Sequence, residues 1–494
     1  MPTFLAILPF IIFLWLLFVR KSTLLKTSLW TLVATTILVL VNWQIDFGYL
    51  AISYGKGIFV ALDILIIVFG AIFFLEIMRD LKIIANISGY LENISKDYRV
   101  QVILLAWMLE NFLEGTAGFG APSTVVAPLL VGLGLTPLHA VVISLLGNST
   151  SVVFGAAGTP IRIGFAGLDW VGVPTLAASI NIIGLFIPLL MLWFLTMTRK
   201  NGGRDFREAI PFALWAGVAF VVPSLLTVFL GQEFPSILGA IIGLILLLLT
   251  IKLGIFMPKT VRTFKDEIIP PVTIPLIRAI TPYALLVIFL IGGKFWLGSW
   301  SIPIPLGIQH NFGLYNPGFA FVASGLIVAA LWRNNEKIIK VAARIAGGKS
   351  LEPFFIIAIM SIIVQLLINS GHNVVNLPSA IDLIADVFTT SLLPIWAPFL
   401  GAFGSFITGS ATVANIMFGK ILFDAATAMS LETAKILALC LVGGAAGNMI
   451  ALADVITAET VVGLKNRERT LIWFLIIPCL LYILLGGLIG WVMG

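Results

Sequence analysis

Polar residues along this chain are sparse and clustered, and between the clusters lie long apolar runs. A helix needs about 20 apolar residues to cross a bilayer. Runs approaching or exceeding that length occupy 2–19, 28–45, 57–78, 137–158, 171–197, 209–230, 236–256, 278–299, 317–332, 353–369, 433–456 and 471–493. Two further stretches, 101–134 and 395–430, are as apolar but are broken by glycines. Barrel strands would read as short alternating segments, and these runs are continuous. The pattern predicts an all-α polytopic membrane protein with about 12 transmembrane helices. Each leg of the two interrupted stretches has about 15 residues, short for a full crossing. They are therefore expected to form re-entrant hairpins whose tips reach mid-membrane, with Pro122 suited to the first turn of a returning helix.

Composition narrows the class. The chain has 494 residues, of which 60% are hydrophobic and 11% charged, against roughly 25% charged in soluble domains. A folded soluble surface and a disordered chain are both excluded. The first run lacks a preceding basic residue and a small-residue cleavage site, so it reads as a retained span. Cys440 and Cys479 lie within apolar runs, and His139, His310 and His372 are scattered. No metal or disulfide spacing results, and no cofactor is expected.

Of the 29 Lys and Arg residues, 24 fall on six segments: 20–26, 79–99, 199–207, 252–278, 333–349 and 465–469. Pairs of spans separate neighbouring segments if each hairpin returns to its side of entry. The positive-inside rule then makes one face cytoplasmic. The loops 300–316 and 371–393 carry no Lys or Arg and belong to the opposite face. Both termini are expected outside, with the protein in the cell membrane among lipids. Topology thus explains the net charge of +6, and no nucleic-acid partner is implied.

An internal repeat is visible. Phe112-Leu-Glu-Gly-Thr-Ala117 recurs as Phe406-Ile-Thr-Gly-Ser-Ala411, and Gly147-Asn148 matches Gly447-Asn448. The approach to the first motif is basic and that to the second is not, so the copies are expected to be inverted in the membrane. This divides the chain into a first repeat (1–200), a linker with two helices (201–277) and a second repeat (278–494). Inverted repeats with broken helices are typical of secondary transporters whose site lies at the midplane.

Irregular backbone at membrane depth is tolerated where it lines a wet cavity, and the starts of half-helices attract anions. The candidate substrate-binding residues are therefore Gly115, Thr116, Gly118, Gly120, Ser123, Asn148 and Ser149 from the first copy. Thr408, Gly409, Ser410, Thr412 and Asn448 are those from the second. The dipoles suit a carboxylate, and the amides and hydroxyls suit hydroxyl groups on a small organic anion. Close helix packing is the alternative role for any one of these small residues.

Acids within spans are costly and point to function. Glu114, beside the first break, is a candidate for proton coupling, with Asp454 and Asp63 as further candidates. Capping of freed backbone is the alternative for Glu114. Glu110 reads as more structural, and Glu76–Arg79 and Lys420–Asp424 as simple ion pairs.

At these residues the chain resembles the L-lactate permease family, which includes lactate and glycolate permeases. The resemblance rests on Asn111-Phe-Leu-Glu-Gly-Thr-Ala-Gly-Phe-Gly-Ala-Pro122, Val131-Gly-Leu-Gly134 and Gly155-Ala-Ala-Gly-Thr-Pro160. It continues in Gly404-Ser-Phe-Ile-Thr-Gly-Ser410 and Asn415-Ile-Met-Phe418. It implies a proton-driven importer of 2-hydroxymonocarboxylates and kinship with a wider ion-transporter superfamily. Where that family carries an acid this chain has Ala411, and where it carries a lysine this chain has Asn448. The reading is a proton symporter with alternating access rather than an enzyme; a homodimer is a candidate assembly. The alternatives are a sodium-coupled carrier of another organic anion and an integral-membrane enzyme.

Overall fold

The computed structural model describes residues 2–118, 120–197, 202–264, 272–304, 311–332 and 335–492. Phe119 of the first motif and His310 lie outside them. Among the described residues, ten helices are long and apolar enough to cross a membrane. The number is twelve when two bent pairs are each taken as one span.

The chain begins with α1 (Pro2–Val19), α2 (Leu24–Trp43), a long α3 (Phe47–Asp80) and a short α4 (Ile83–Ile94). The first hairpin follows. Its leading leg α5 (98–116) joins segments of 6, 6 and 7 residues, and its returning leg α6 (Ala121–Gly132) has 12. Next come α7 (Pro137–Asn148) and α8 (Ser151–Arg162), bent by 51° at their junction, and α9 (Val173–Thr196). The two linker helices are α10 (Gly202–Leu230) and α11 (Pro235–Leu253).

The second half starts with α12 (Leu276–Leu297), an antiparallel ribbon of β1 (Ser301–Pro303) and β2 (Asn311–Gly313), and α13 (Pro317–Leu331). A long α14 (Asn335–Asn369) precedes the short α15 (Ala380–Phe388). The second hairpin is α16 (Leu393–Thr408) with α17 (Ala411–Ala428). The chain closes with α18 (Thr433–Asn448), α19 (Leu452–Val461) and α20 (Glu468–Val492).

Three features differ from the pattern read along the chain. Helices α3 and α14 run for 34 and 35 residues, well beyond 57–78 and 353–369; α3 starts early at its Asp46 cap, and good helix formers such as Glu336, Lys337, Lys340 and Ala342 extend α14. The leading leg α5 starts early, at the Asp97 cap inside the basic segment, and so exceeds 15 residues. The run 137–158 extends to Arg162, as helices α7 and α8 that are broken at its polar residues after Asn148.

Helices α3 and α14 pack along one another. Elsewhere, α7 crosses the leading hairpin leg and α18 crosses α16 at very short range. An added Cβ on Gly147 would meet the Ala106 carbonyl oxygen at 1.7 Å, and one on Gly447 the Ala402 carbonyl oxygen at 2.2 Å. The linker helices cover the first hairpin. Trp107 Nε1 donates to the Ala216 carbonyl at 2.9 Å, and Ser236 Oγ donates to the Ser151 carbonyl at 2.8 Å.

The base of the first hairpin is fixed by charge. Arg99 is fully buried. It donates through Nε to Asp97 Oδ1 at 2.9 Å and through Nη2 to Asp97 Oδ2 at 2.6 Å. Its other donors reach the Asp205 and Thr260 carbonyls. Asp97 also caps α5 by accepting the Arg99 backbone N–H, and Arg262 pairs with Asp205 at 3.0 Å. A buried cation is tolerated when it is paired and most of its donors are used in this way. The network ties the start of α5 to α10 and to the loop after α11.

The Gly147 contact yields a direct test. Gly147→Ala is expected to lower the thermal midpoint of the detergent-solubilised protein, with an overpacking cost of about 1–3 kcal/mol. Gly348→Ala, at a helical position with nothing within 4 Å, is expected to leave that midpoint unchanged or slightly raised. Midpoints that move together would remove the close-packing argument.

Candidate functional site

Four helix breaks meet at the centre of the molecule. The first hairpin turns between α5 and α6, with Gly118 and Gly120 at φ 55° and 73°. Gly120 has little room for any other residue: an added Cβ would lie 2.8 Å from Asp454 Oδ1. The second hairpin turns at Gly409-Ser410, where Ser410 caps α17 by accepting the Val413 N–H. Helices α18 and α19 are separated by a short break at 449–451. The fourth is a kink inside α8, where three successive residues, Ala156, Ala157 and Gly158, are left-handed. Two of these are alanines, each costing about 1–2 kcal/mol in that conformation, so the surroundings must hold the turn in place. Such strain concentrates at functional sites.

These breaks enclose a cavity of about 30 Å³. Glu114, Gly118, Gly120, Gly155, Ala156 and Thr159 line it from the first half, and Gly409, Ser410, Ala411, Thr412 and Asn448 from the second. Glu114 is buried beside Gly155, where an added Cβ would fall 2.3 Å from Glu114 Oε1. The Asn148 carboxamide faces the Glu114 carboxylate, and the Asn448 carboxamide faces that of Asp454. Ser405 Oγ donates to Asn448 Oδ1 at 3.4 Å. Glu114 and Asp454 thus flank the first tip, one on the Gly118 side and one on the Gly120 side. Neither forms an ion pair with a Lys or Arg among the described residues. No group of three or more His, Cys, Asp or Glu suited to a metal ion occurs among those residues.

The candidate residues divide into two sets. Gly118, Gly120, Gly409, Ser410, Thr412, Asn448 and Glu114 line the cavity, with Asn148 and Asp454 immediately behind. The others serve the surrounding structure. Gly115 abuts Ser236 and Ile237 of α11. The hydroxyls of Thr116, Ser149 and Thr408 donate to carbonyls of their own helices. Ser123 Oγ donates to Glu110 Oε1 at 3.2 Å. Asp63 lies on α3, where its carbonyl accepts from Asn316, and is not part of the cavity lining.

Glu110 also accepts from Ser144 at 2.6 Å, so it joins both hairpin legs to α7. Glu76 pairs with Arg79 at 3.5 Å as expected, and with Lys349 of α14 at 2.8 Å. Arg79 donates in turn to Thr124 on α6 at 2.9 Å. Lys420 and Asp424 form their pair. The left-handed turn at 156–158 lies beyond the polar residues 148–151 that interrupt the 137–158 run, and it was not expected there. Its signal is the glycine, alanine and proline content of Gly155-Ala-Ala-Gly-Thr-Pro160.

The whole chain matches the model of the family described as L-lactate permease, over residues 3–297 and 299–493. The chain belongs to the L-lactate permease family. It is 27% identical to the L-lactate permease of Salmonella typhimurium, covering 99% of this chain and 95% of that protein. It is likewise 27% identical to the glycolate permease GlcA of Escherichia coli, covering 90% and 87%. Among solved structures it is similar to the YdaH transporter of Alcanivorax borkumensis, with a TM-score of 0.46, 13% identity and coverage of 86% and 84%. As a member of a permease family it is a multi-pass membrane transporter and not an enzyme.

The Gly120–Asp454 contact predicts that Gly120→Ala lowers permease activity by about tenfold or more, from a combined steric and backbone cost of about 1–3 kcal/mol. Substrate uptake into proteoliposomes checks this. Wild-type activity in the variant would mean that the first tip does not pack on Asp454 in the working protein.

Proposed function

We propose that the protein imports a small 2-hydroxymonocarboxylate, lactate or glycolate, across the cell membrane by proton symport with alternating access. The names of its relatives support the substrate class. The convergence of Glu114 and Asp454 on one hairpin tip carries the coupling argument. Between these acids and the second tip lie the ligands a hydroxy acid needs. The first N–H groups of α17 and the Ser410 and Thr412 hydroxyls suit its carboxylate. The Asn148 and Asn448 carboxamides, each a donor and an acceptor, suit its hydroxyl.

An anion entering this cavity meets two acids that form no ion pair with a Lys or Arg among the described residues. A proton arriving on one of them removes a charge repulsion that is strong in a site with little water. Anion and proton then favour each other, which is the thermodynamic content of symport. The cavity holds about two water molecules, judged by the space one needs. A hydroxy acid therefore enters only when the tips separate, which fits a carrier rather than an open pore.

In this reading residues 1–200 and 278–494 are inverted copies that move against one another, and 201–277 supplies two covering helices. The basic segments face the cytoplasm and both termini lie outside.

Reconstituted protein is expected to accumulate labelled L-lactate or glycolate when the exterior is more acidic than the lumen. Glu114→Gln and Asp454→Asn are expected to cut this proton-driven uptake by about tenfold or more, equivalent to about 1.4 kcal/mol. Both variants should retain exchange of labelled for unlabelled substrate. Uptake that requires a sodium gradient and ignores pH would select sodium coupling instead.

A further inference from the structure

A second cavity, of about 120 Å³, lies beside the central one. Its walls include Lys56 of α3, Ser361 and Gln365 of α14, Lys420 of α17 and the turn 163–168 after α8. The two cavities share walls one helical turn apart. Thr412 lines the central cavity and Ile416 the second, and Pro160 and Gly164 divide in the same way. The step is therefore about 5–6 Å along α17. Between them Asn415, fully buried, donates to the Pro160 carbonyl at 3.0 Å.

The chemistry of this second cavity is cationic. Lys56 is half-buried, and its ammonium lies near Gly167, where an added Cβ would stand 3.8 Å away. It has no ion-pair or hydrogen-bond partner among the described residues. Lys420 differs, since its charge is taken up by Asp424. Ser361 is 5% exposed, and its hydroxyl has no hydrogen-bond partner. A half-buried ammonium and a buried hydroxyl without partners are costly unless a ligand satisfies them. The cavity is several times larger than the central one and sits on the side away from the basic loops.

We propose that Lys56 and Ser361 form a waiting site that binds the carboxylate of the incoming hydroxy acid before it passes Asn415 to the central cavity. Lys56 supplies the charge and Ser361 a hydrogen bond. The site thereby gathers the anion at the outer mouth of a pocket whose own charges are negative. This proposal rests on the reading of the protein as a hydroxy-acid carrier.

Two measurements on the full-length protein test it and separate it from that reading. The first follows acylation of the Lys56 amine in detergent by mass spectrometry, with L-lactate, glycolate, chloride or neutral propane-1,2-diol present. Lactate or glycolate is expected to slow acylation by about tenfold when saturating, the effect of one charge-assisted contact. The diol and equimolar chloride should not, and Ser361→Ala should weaken the protection. Equal acylation with and without carboxylate, or equal protection by chloride, overturns the proposal. The second compares uptake kinetics in proteoliposomes. Lys56→Gln is expected to raise the apparent KM about tenfold with little change in maximal rate, and Lys56→Arg to restore it. An unchanged KM in Lys56→Gln also overturns the proposal. Wild-type protein that takes up neither acid removes the carrier reading, while carboxylate protection of Lys56 would still establish the anion site.

Discussion

A backbone that leaves the helix inside a bilayer has no water with which to replace its lost hydrogen bonds. Everything near the centre of this protein answers that constraint. At the α7–α8 break the freed carbonyls are met from outside: Asn181 donates to Thr150, Ser236 to Ser151 and Asn415 to Pro160. At the second tip Ser410 Oγ accepts from Val413 N and Thr408 Oγ1 accepts from Ser410 N. The first tip closes on itself through Ala121 N to the Gly118 carbonyl at 3.0 Å. Those donors come from α9, α11 and α17, so helices distant in sequence must all be in place before the breaks are tolerable. Once they are, a polar cavity exists at a depth where hydrocarbon would otherwise be.

Much of this was legible in the chain. Long apolar runs announce spanning helices because the bilayer admits little else. The broken character of 101–134 and 395–430 shows in glycine and proline, which no uninterrupted span needs in such density. That Glu114, Asn148, Asn448 and Asp454 matter follows from their polarity in apolar surroundings. Position along a helix is another matter. Thr116, Ser123 and Ser149 are chemically as suitable as Ser410 and Thr412, yet they turn to backbone carbonyls or to Glu110. Which way a hydroxyl points depends on helix phase and on neighbours that no local pattern encodes. The left-handed run at Ala156-Ala157 was hidden for a related reason. Alanine is a good helix former, and only the tertiary setting overrides it.

The two halves contribute unlike chemistry to the shared cavity. Glu114 lies on a hairpin leg one turn before its tip, whereas Asp454 lies in α19, beyond a helix break. The corresponding hairpin position in the second half is Thr408, whose hydroxyl serves its own helix. Around them the supports differ as well. The first hairpin is clamped at its base by the Arg99 network and along its side by the two linker helices. The second hairpin carries instead a local Lys420–Asp424 pair. A common chain pattern is thus compatible with one heavily braced hairpin and one more lightly held.

The length of α14 reaches beyond the pocket altogether. At 35 residues it extends about 52 Å, while the hydrocarbon layer is about 30 Å thick. The surplus is the basic end, where Lys337, Lys340 and Arg344 are exposed. Polybasic segments beside a membrane are drawn to anionic lipid by about 1 kcal/mol per residue. In the proposed carrier this basic end of α14 would anchor the helix to the headgroups of one leaflet, and the anionic lipid content of that leaflet would then bear on its motion.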